Sequence, residues 1–221
     1  MSDASAASWR QPVQDRIRAA GAVAILRMRD HREAVAVGVA LAEAGVTAME
    51  VTLDHADAAQ TIRDLGKELP DTTLIGAGTV RTAAQVEEAA QAGARFCVSP
   101  HVSTEVVRAA LGAELEPLPG AGTATEVSVA WDAGARLVKL FPAGPLGVGY
   151  LRAMRGPFRD VGFVPTGGIA HDQVADWLRA GASAVGLGSD LVPSEPGRED
   201  ISRIAERARV VVRQVAEVRG E

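Results

Sequence analysis

The chain has little cysteine, no excess of positive charge and no long apolar run, and each shortage removes a class of protein. Cys97 is the one cysteine among 221 residues, so no intramolecular disulfide can form. Its setting in "RFCVSP" reads as a small buried hydrophobe rather than a nucleophile. Lys and Arg number 23 against 28 Asp and Glu, a net charge of -5 with both signs interspersed. Nucleic acid and anionic membrane surfaces need a sustained positive field, so neither is an expected partner. Any anion must be gripped locally. No stretch approaches the roughly 18 apolar residues of a membrane span, and the opening "MSDASAASWRQPVQDR" lacks the apolar segment of a signal peptide. The expected location is the cytoplasm.

Metal and nucleotide chemistry are equally thinly represented. His31, His55, His101 and His171 are scattered, without HxH or HExxH spacing, and "DHAD" at 54 to 57 would need ligands from elsewhere. No GxGxxG follows the first apolar run, and Ser99 and Ser189 have no adjacent His-Asp arrangement. The expectation is an activity with neither metal nor cofactor.

A repeated phrase takes the place of these signals. "EAGVTAMEV" from Glu43, "QAGARFCV" from Gln91, "DAGARLVKL" from Asp132 and "RAGASAVGL" from Arg179 each join a helical pattern to an apolar run through Ala-Gly. The glycines fall at 45, 93, 134 and 181, where a left-handed residue would close a helix just before a strand. Between them lie four more apolar runs, "AVAILR", "TTLIGAGTV", "ELEPLPG" and "GFVPTGG". Helical stretches are predicted over 32–44, 57–68, 82–92, 103–112, 123–133, 171–180 and 199–218. Alternation of this kind points to an α/β fold, a single-domain (β/α)8 TIM barrel over 1–221, with an open doubly wound sheet as the alternative. Residues 1–16 read as an N-terminal extension or capping helix.

In such a barrel the active site gathers at the carboxyl ends of the strands. Side chains alternate along a strand, so Leu137, Lys139 and Phe141 share one face while Val138 and Leu140 share the other. If the aliphatic pair packs on helices, Lys139 points inward, and by the same parity Glu50 points inward with Ala48 and Thr52. A buried salt bridge would explain such a pair. So would Schiff-base chemistry, in which a neutral lysine attacks a carbonyl and a neighbouring carboxyl group relays protons. "TGG" at 166 to 168 and "GLGSD" at 186 to 190 follow the last two strands, where backbone N–H groups free of side chains can cradle a phosphate. Tight turns alone would also account for their glycines.

Taken in order, "AILR", "MEVTL", "IGAGTV", "VSPH", "LPG", "VKLFPA", "GPF", "FVPTGG" and "GLGSDLV" resemble the KDPG/KHG aldolase family over roughly residues 22 to 191. The resemblance implies a homotrimeric barrel that cleaves 2-keto-3-deoxy-6-phosphogluconate, a phosphorylated keto acid, or else its 6-phosphogalactonate epimer or 4-hydroxy-2-oxoglutarate, through Lys139 as imine former and Glu50 as acid/base. It further implies that Thr79 and the Pro100 segment shape the pyruvyl end and that Phe141 packs beside the lysine. Gly167, Gly168, Gly188 and Ser189 would receive the phosphate. Many members carry arginine after "EVTL", where this chain has Asp54. Others have arginine at the end of the first strand, so Arg27 is assigned to the substrate carboxylate, which a guanidinium can hold bidentately. A phosphate-binding isomerase or epimerase, or a sugar-phosphate sensor, would share the glycine turns without needing an imine at Lys139.

Overall fold

The computed structural model describes residues 7–194 and 200–220, with side chains from residue 9 onward. It begins with α1 (Ala7–Ala20) and β1 (Ala22–Leu26), followed by α2 (His31–Glu43), β2 (Ala48–Thr52), α3 (Ala58–Glu68) and β3 (Leu74–Gly78). Next come α4 (Ala83–Gln91), β4 (Phe96–Val98), α5 (Thr104–Gly112), β5 (Glu116–Leu118) and β6 (Gly120–Ala121). The remainder is α6 (Ala124–Asp132), β7 (Leu137–Leu140), α7 (Ala143–Arg155), β8 (Gly162–Pro165), α8 (Val174–Arg179), β9 (Val185–Leu187) and α9 (Asp200–Arg219). None of the described helices is long and apolar enough to cross a membrane.

The repeated Ala-Gly phrase has one local structure throughout. Gly45, Gly93, Gly134 and Gly181 have φ of 98°, 92°, 109° and 97°. At each, the glycine N–H and the next residue's N–H turn back to the helix, as in Gly45 to the Ala42 carbonyl at 2.9 Å and Val46 to the Leu41 carbonyl at 3.0 Å. This paired closure satisfies carbonyls that the helix end leaves open and sets the chain's direction into the next strand. At the other end, Asp30, Thr82, Ser103 and Thr123 cap α2, α4, α5 and α6 by accepting an N–H three residues on.

All strand pairs are parallel, as an α/β chain with helical crossovers requires. They fall into a six-stranded sheet, β5-β4-β3-β2-β1-β9, and a three-stranded sheet, β6-β7-β8. The expected single strand over "ELEPLPG" is corrected to two short pieces. Pro119 has no N–H to donate, and it separates β5 from β6 while its carbonyl accepts the Lys139 N–H at 2.9 Å. The two sheets meet again where the Ser183 N–H donates to the Phe163 carbonyl at 2.8 Å and Thr166 pairs with Gly186.

Alternation divides the apolar residues between two cores. Met49, Val51, Val138 and Leu140 face the helices, as does Cys97, whose thiol burial pushes up to about 12, with Glu116 and Glu50 adding to the rise. Val23, Ala48, Leu74, Phe96, Leu137 and Val164 instead form an inner cluster, into which α1 inserts Val13 and Ile17. A buried polar clasp fixes α1. Arg10 reaches Glu116 with Nε at 2.6 Å and Nη2 at 3.0 Å, Gln14 adds a bond at 3.1 Å, and Arg10 also donates to the Gly134 carbonyl at 2.8 Å.

Two helix expectations need correction. α7 occupies a segment where no helix was predicted, because Pro145 and Gly144, Gly147 and Gly149 obscure the pattern, and Gly147 in fact breaks helical geometry at φ 77° and ψ 164°. α8 covers 174–179 rather than 171–180, since His171 and Asp172 belong to the preceding turn. Residues 1–6 of the expected N-terminal segment and residue 199 of the last predicted helix lie outside the described residues.

Candidate active site

β7 places Lys139 on the same face as Leu137, which belongs to the inner cluster, so the amine stands on the interior side. The side chain is buried, with Nζ 5.1 Å from the centroid of the Phe141 ring, at a distance suited to cation–π attraction. A cleft of about 410 Å³ opens above it, lined also by Arg27, Phe141 and Thr166. Gly167 and Gly168 come from one turn in its wall, and Gly188, Ser189 and Asp190 from another.

Glu50, Thr79 and Pro100 do not line this cleft. Glu50 lies deeper, on β2, with only 3% of its surface exposed. A Cβ on Gly78 would come within 2.7 Å of its Oε1, so the missing side chain at Gly78 makes the space that the carboxyl group fills. Burial pushes the Glu50 pKa above its usual 4.5, against the downward pull of Lys139 and then Arg27. Burial thus favours its neutral form more than in an exposed glutamate. Pro100 is a backbone neighbour of Gly120, where a Cβ would meet its carbonyl group at 2.5 Å. Thr79 adjoins the cleft through Arg27, whose Nη2 donates to its Oγ1 at 3.1 Å.

Arg27 itself is engaged from a side the sequence did not disclose. Its Nη1 pairs with Asp54 Oδ2, while Asp54 Oδ1 accepts from Thr52 Oγ1 at 2.8 Å. The residue that departs from the family pattern is therefore the one that holds the arginine. Both side chains are substantially solvent-exposed, which leaves the guanidinium able to take a second carboxylate.

The glycine turns are shaped by close backbone approach. A Cβ on Gly144 would sit 2.2 Å from the Gly168 carbonyl oxygen, and one on Gly167 would sit 2.8 Å from the Phe141 ring. The carbonyls of Thr166 and Gly167 accept from Ala143 and Gly144 at the start of α7, both at 2.8 Å. Among the described residues, none accepts from the amides of Gly168 or Ser189, so these N–H groups are open to an anion. Asp190 and Thr166 were not singled out as site residues from the sequence. Asp190 could have been, since it closes the "GLGSD" turn.

A buried amine near a carboxyl group whose pKa burial raises, beside turns that present open amides, is an arrangement that can support covalent amine chemistry on an anionic carbonyl compound. The KDPG and KHG aldolase family model matches residues 13–207. The 2-dehydro-3-deoxy-6-phosphogalactonate aldolase of Escherichia coli K12 is 35% identical over 196 residues, covering 88% of this chain and 94% of its own. The KHG/KDPG aldolase of the same organism is 34% identical over 207 residues, with coverages of 93% and 97%. A crystal structure of KDPG aldolase from Legionella pneumophila, with pyruvate captured at low pH as a covalent carbinolamine intermediate, superposes with a TM-score of 0.78. It is 30% identical and the match covers 93% and 97% of the two chains. The chain belongs to the KDPG and KHG aldolase family, and it is a carbon–carbon lyase.

Proposed function

We propose that the chain is a class I aldolase that cleaves 2-keto-3-deoxy-6-phosphogluconate to pyruvate and glyceraldehyde 3-phosphate. Lys139, as the free amine, attacks the C2 carbonyl. Glu50 protonates the departing hydroxyl of the carbinolamine, and loss of water leaves a protonated imine. That cation draws electrons from the C3–C4 bond once the C4 hydroxyl proton is removed by Glu50, directly or through water. Glyceraldehyde 3-phosphate departs, the enamine takes a proton at C3, and hydrolysis releases pyruvate and restores the amine. Arg27 takes the substrate carboxylate, Thr79 and the Pro100 segment bound the pyruvyl end, and Phe141 lies beside the amine. The amides around Gly167, Gly168, Gly188 and Ser189 receive the phosphate.

The observation that carries this reading is the buried Lys139 on the cleft floor, with Glu50 held behind it by the gap at Gly78. We read the two sheets as one (β/α)8 barrel domain over 1–221, closed through Pro119 on one side and the Thr166–Gly186 pairing on the other. α1 caps its amino end. The family resemblance supports a homotrimer, a cytoplasmic location and a place in the Entner-Doudoroff pathway. The 6-phosphogalactonate epimer is a second candidate substrate, supported by the name of the first relative above, a 2-dehydro-3-deoxy-6-phosphogalactonate aldolase. The unphosphorylated 4-hydroxy-2-oxoglutarate is a third candidate.

Borohydride reduction in the presence of pyruvate, followed by peptide mass mapping, tests the mechanism. A pyruvyl adduct on Lys139 is expected, and Lys139→Met abolishes both adduct and turnover. A folded protein that forms no adduct there would point instead to the phosphate-binding isomerase or the sensor. Product assays with the two phosphorylated epimers and the hydroxyglutarate rank the substrates.

A further inference from the structure

β8 and β9 carry the two turns assigned to the phosphate, yet their strands are joined by one backbone bond from Ser183 to the Phe163 carbonyl at 2.8 Å and, nearer the turns, one pairing of Thr166 with Gly186, whereas β2 and β3 pair at five successive positions. Beyond that single pairing the chain is glycine-rich on both sides, at Gly167–Gly168 and at Gly188. Backbone freedom there would let the facing amides drift apart. A phosphate held by amides from both turns needs their separation fixed in advance, because ordering them on binding costs affinity.

The two turns are tied a few residues further on. The backbone N–H of His171 and its ring Nδ1 both lie 2.6 Å from the same oxygen, Asp190 Oδ2. An ionised carboxylate only accepts, so Nδ1 carries the proton in this contact. Burial raises the Asp190 pKa, but the His171 backbone and ring hydrogen bonds, the charge of His171 and Arg207 outweigh it, and the net shift is downward. Each half is also anchored to α9. Gln214 Nε2 donates to the His171 carbonyl at 2.8 Å, and Arg207 Nη1 donates to the Asp190 carbonyl at 2.7 Å. Arg207 and Gln214 are seven residues apart, two helical turns along one side of α9.

We propose that His171 and Asp190 are positioning residues, a clip that sets the spacing of the two glycine turns and so governs how tightly the phosphorylated end of the substrate is held. The inference rests on the reading of those turns as the phosphate site. Asp190 gives it a sharp test, because its carboxylate stands in the cleft wall near the place of a dianion. If its charge were all that mattered, removing it would strengthen phosphate binding. If the clip matters, removing it weakens binding.

Inorganic phosphate is titrated calorimetrically into the wild-type chain, Asp190→Ala, His171→Ala and His171→Asn, and KM and kcat are measured with a phosphorylated and an unphosphorylated 4-hydroxy-2-oxo acid. Both alanine variants are expected to weaken phosphate binding about tenfold, the scale of one lost charge-assisted hydrogen bond. KM for the phosphorylated substrate should rise in step, at least five times more than for the unphosphorylated one. His171→Asn, whose amide N–H can stand in for Nδ1–H, is expected to restore most of the loss. Tighter phosphate binding in Asp190→Ala, an equal loss on both substrates, or failure of the asparagine to rescue would each overturn the clip. If one alanine variant does not fold, the other decides. The phosphate titration requires no turnover, so it judges the clip even if Lys139 forms no adduct and the aldolase mechanism fails.

Discussion

Arg10→Ala isolates a buried charge beneath the active site. Glu116 has no exposed surface and Arg10 retains 16% of its side-chain exposure. The substitution removes both bonds from Arg10 to the carboxylate and the tie to the Gly134 carbonyl, leaving Glu116 with Gln14 alone. Breaking a buried ion pair from one side costs roughly 3–5 kcal/mol, because the remaining charge has lost its partner. The partial exposure of Arg10 lets water into the vacated space, which places the loss near the lower end, about 3 kcal/mol. For a chain of this size each kcal/mol lowers the melting temperature by about 2–4 °C, so Arg10→Ala should melt roughly 6–12 °C below wild type. Circular dichroism follows the whole fold. The double replacement Arg10→Met with Glu116→Met should recover most of the loss, since an apolar pair leaves no charge stranded. A drop of under about 2 °C for Arg10→Ala, or a double variant that melts below it, would refute the account.

Other perturbations act nearer the chemistry. Glu50→Gln should lower kcat by about 10²–10⁴-fold, the usual contribution of a positioned acid/base group. It should also raise the melting temperature above the raised Glu50 pKa. The folded chain holds this proton more firmly than the unfolded chain does, so wild-type stability falls as pH rises from 4.5 through the raised value; the advantage of glutamine is full above that window and gone below it. Melting curves at pH 8 and pH 4.5 check the sign. Gly78→Ala forces a Cβ to within 2.7 Å of Glu50 Oε1 and should cut kcat at least about tenfold, with a stability cost of about 1–3 kcal/mol from overpacking. Steady-state kinetics beside a urea titration separates the two effects. Arg27→Ala should raise KM for the keto acid about tenfold or more with a smaller change in kcat; an unchanged KM would remove Arg27 from carboxylate binding.

What could be read from the sequence followed how local its cause was. The closures at Gly45, Gly93, Gly134 and Gly181 each depend on a few consecutive residues, and the parity that turns Lys139 and Glu50 inward depends on a period of two. α7 escaped because its proline and glycines look like a loop, and only packing against the turn at Thr166–Gly168 makes a helix of it. The Arg27–Asp54 and His171–Asp190 pairs join residues 27 and 19 positions apart across strand ends, a geometry that no spacing rule encodes. For the same reason the depth of Glu50 was invisible. It depends on the side chain that Gly78 lacks, on a neighbouring strand.

Thr79 carries a left-handed backbone at φ 58°, a conformation that disfavours a β-branched side chain by about 1–3 kcal/mol. Glycine would relax the strain and delete the hydroxyl that accepts from Arg27. Thermal endurance and the hold on that arginine therefore pull this position in opposite directions. A lineage selected for heat alone would drift to glycine here, whereas one selected for turnover on a scarce keto acid would keep the threonine and tolerate a less stable fold.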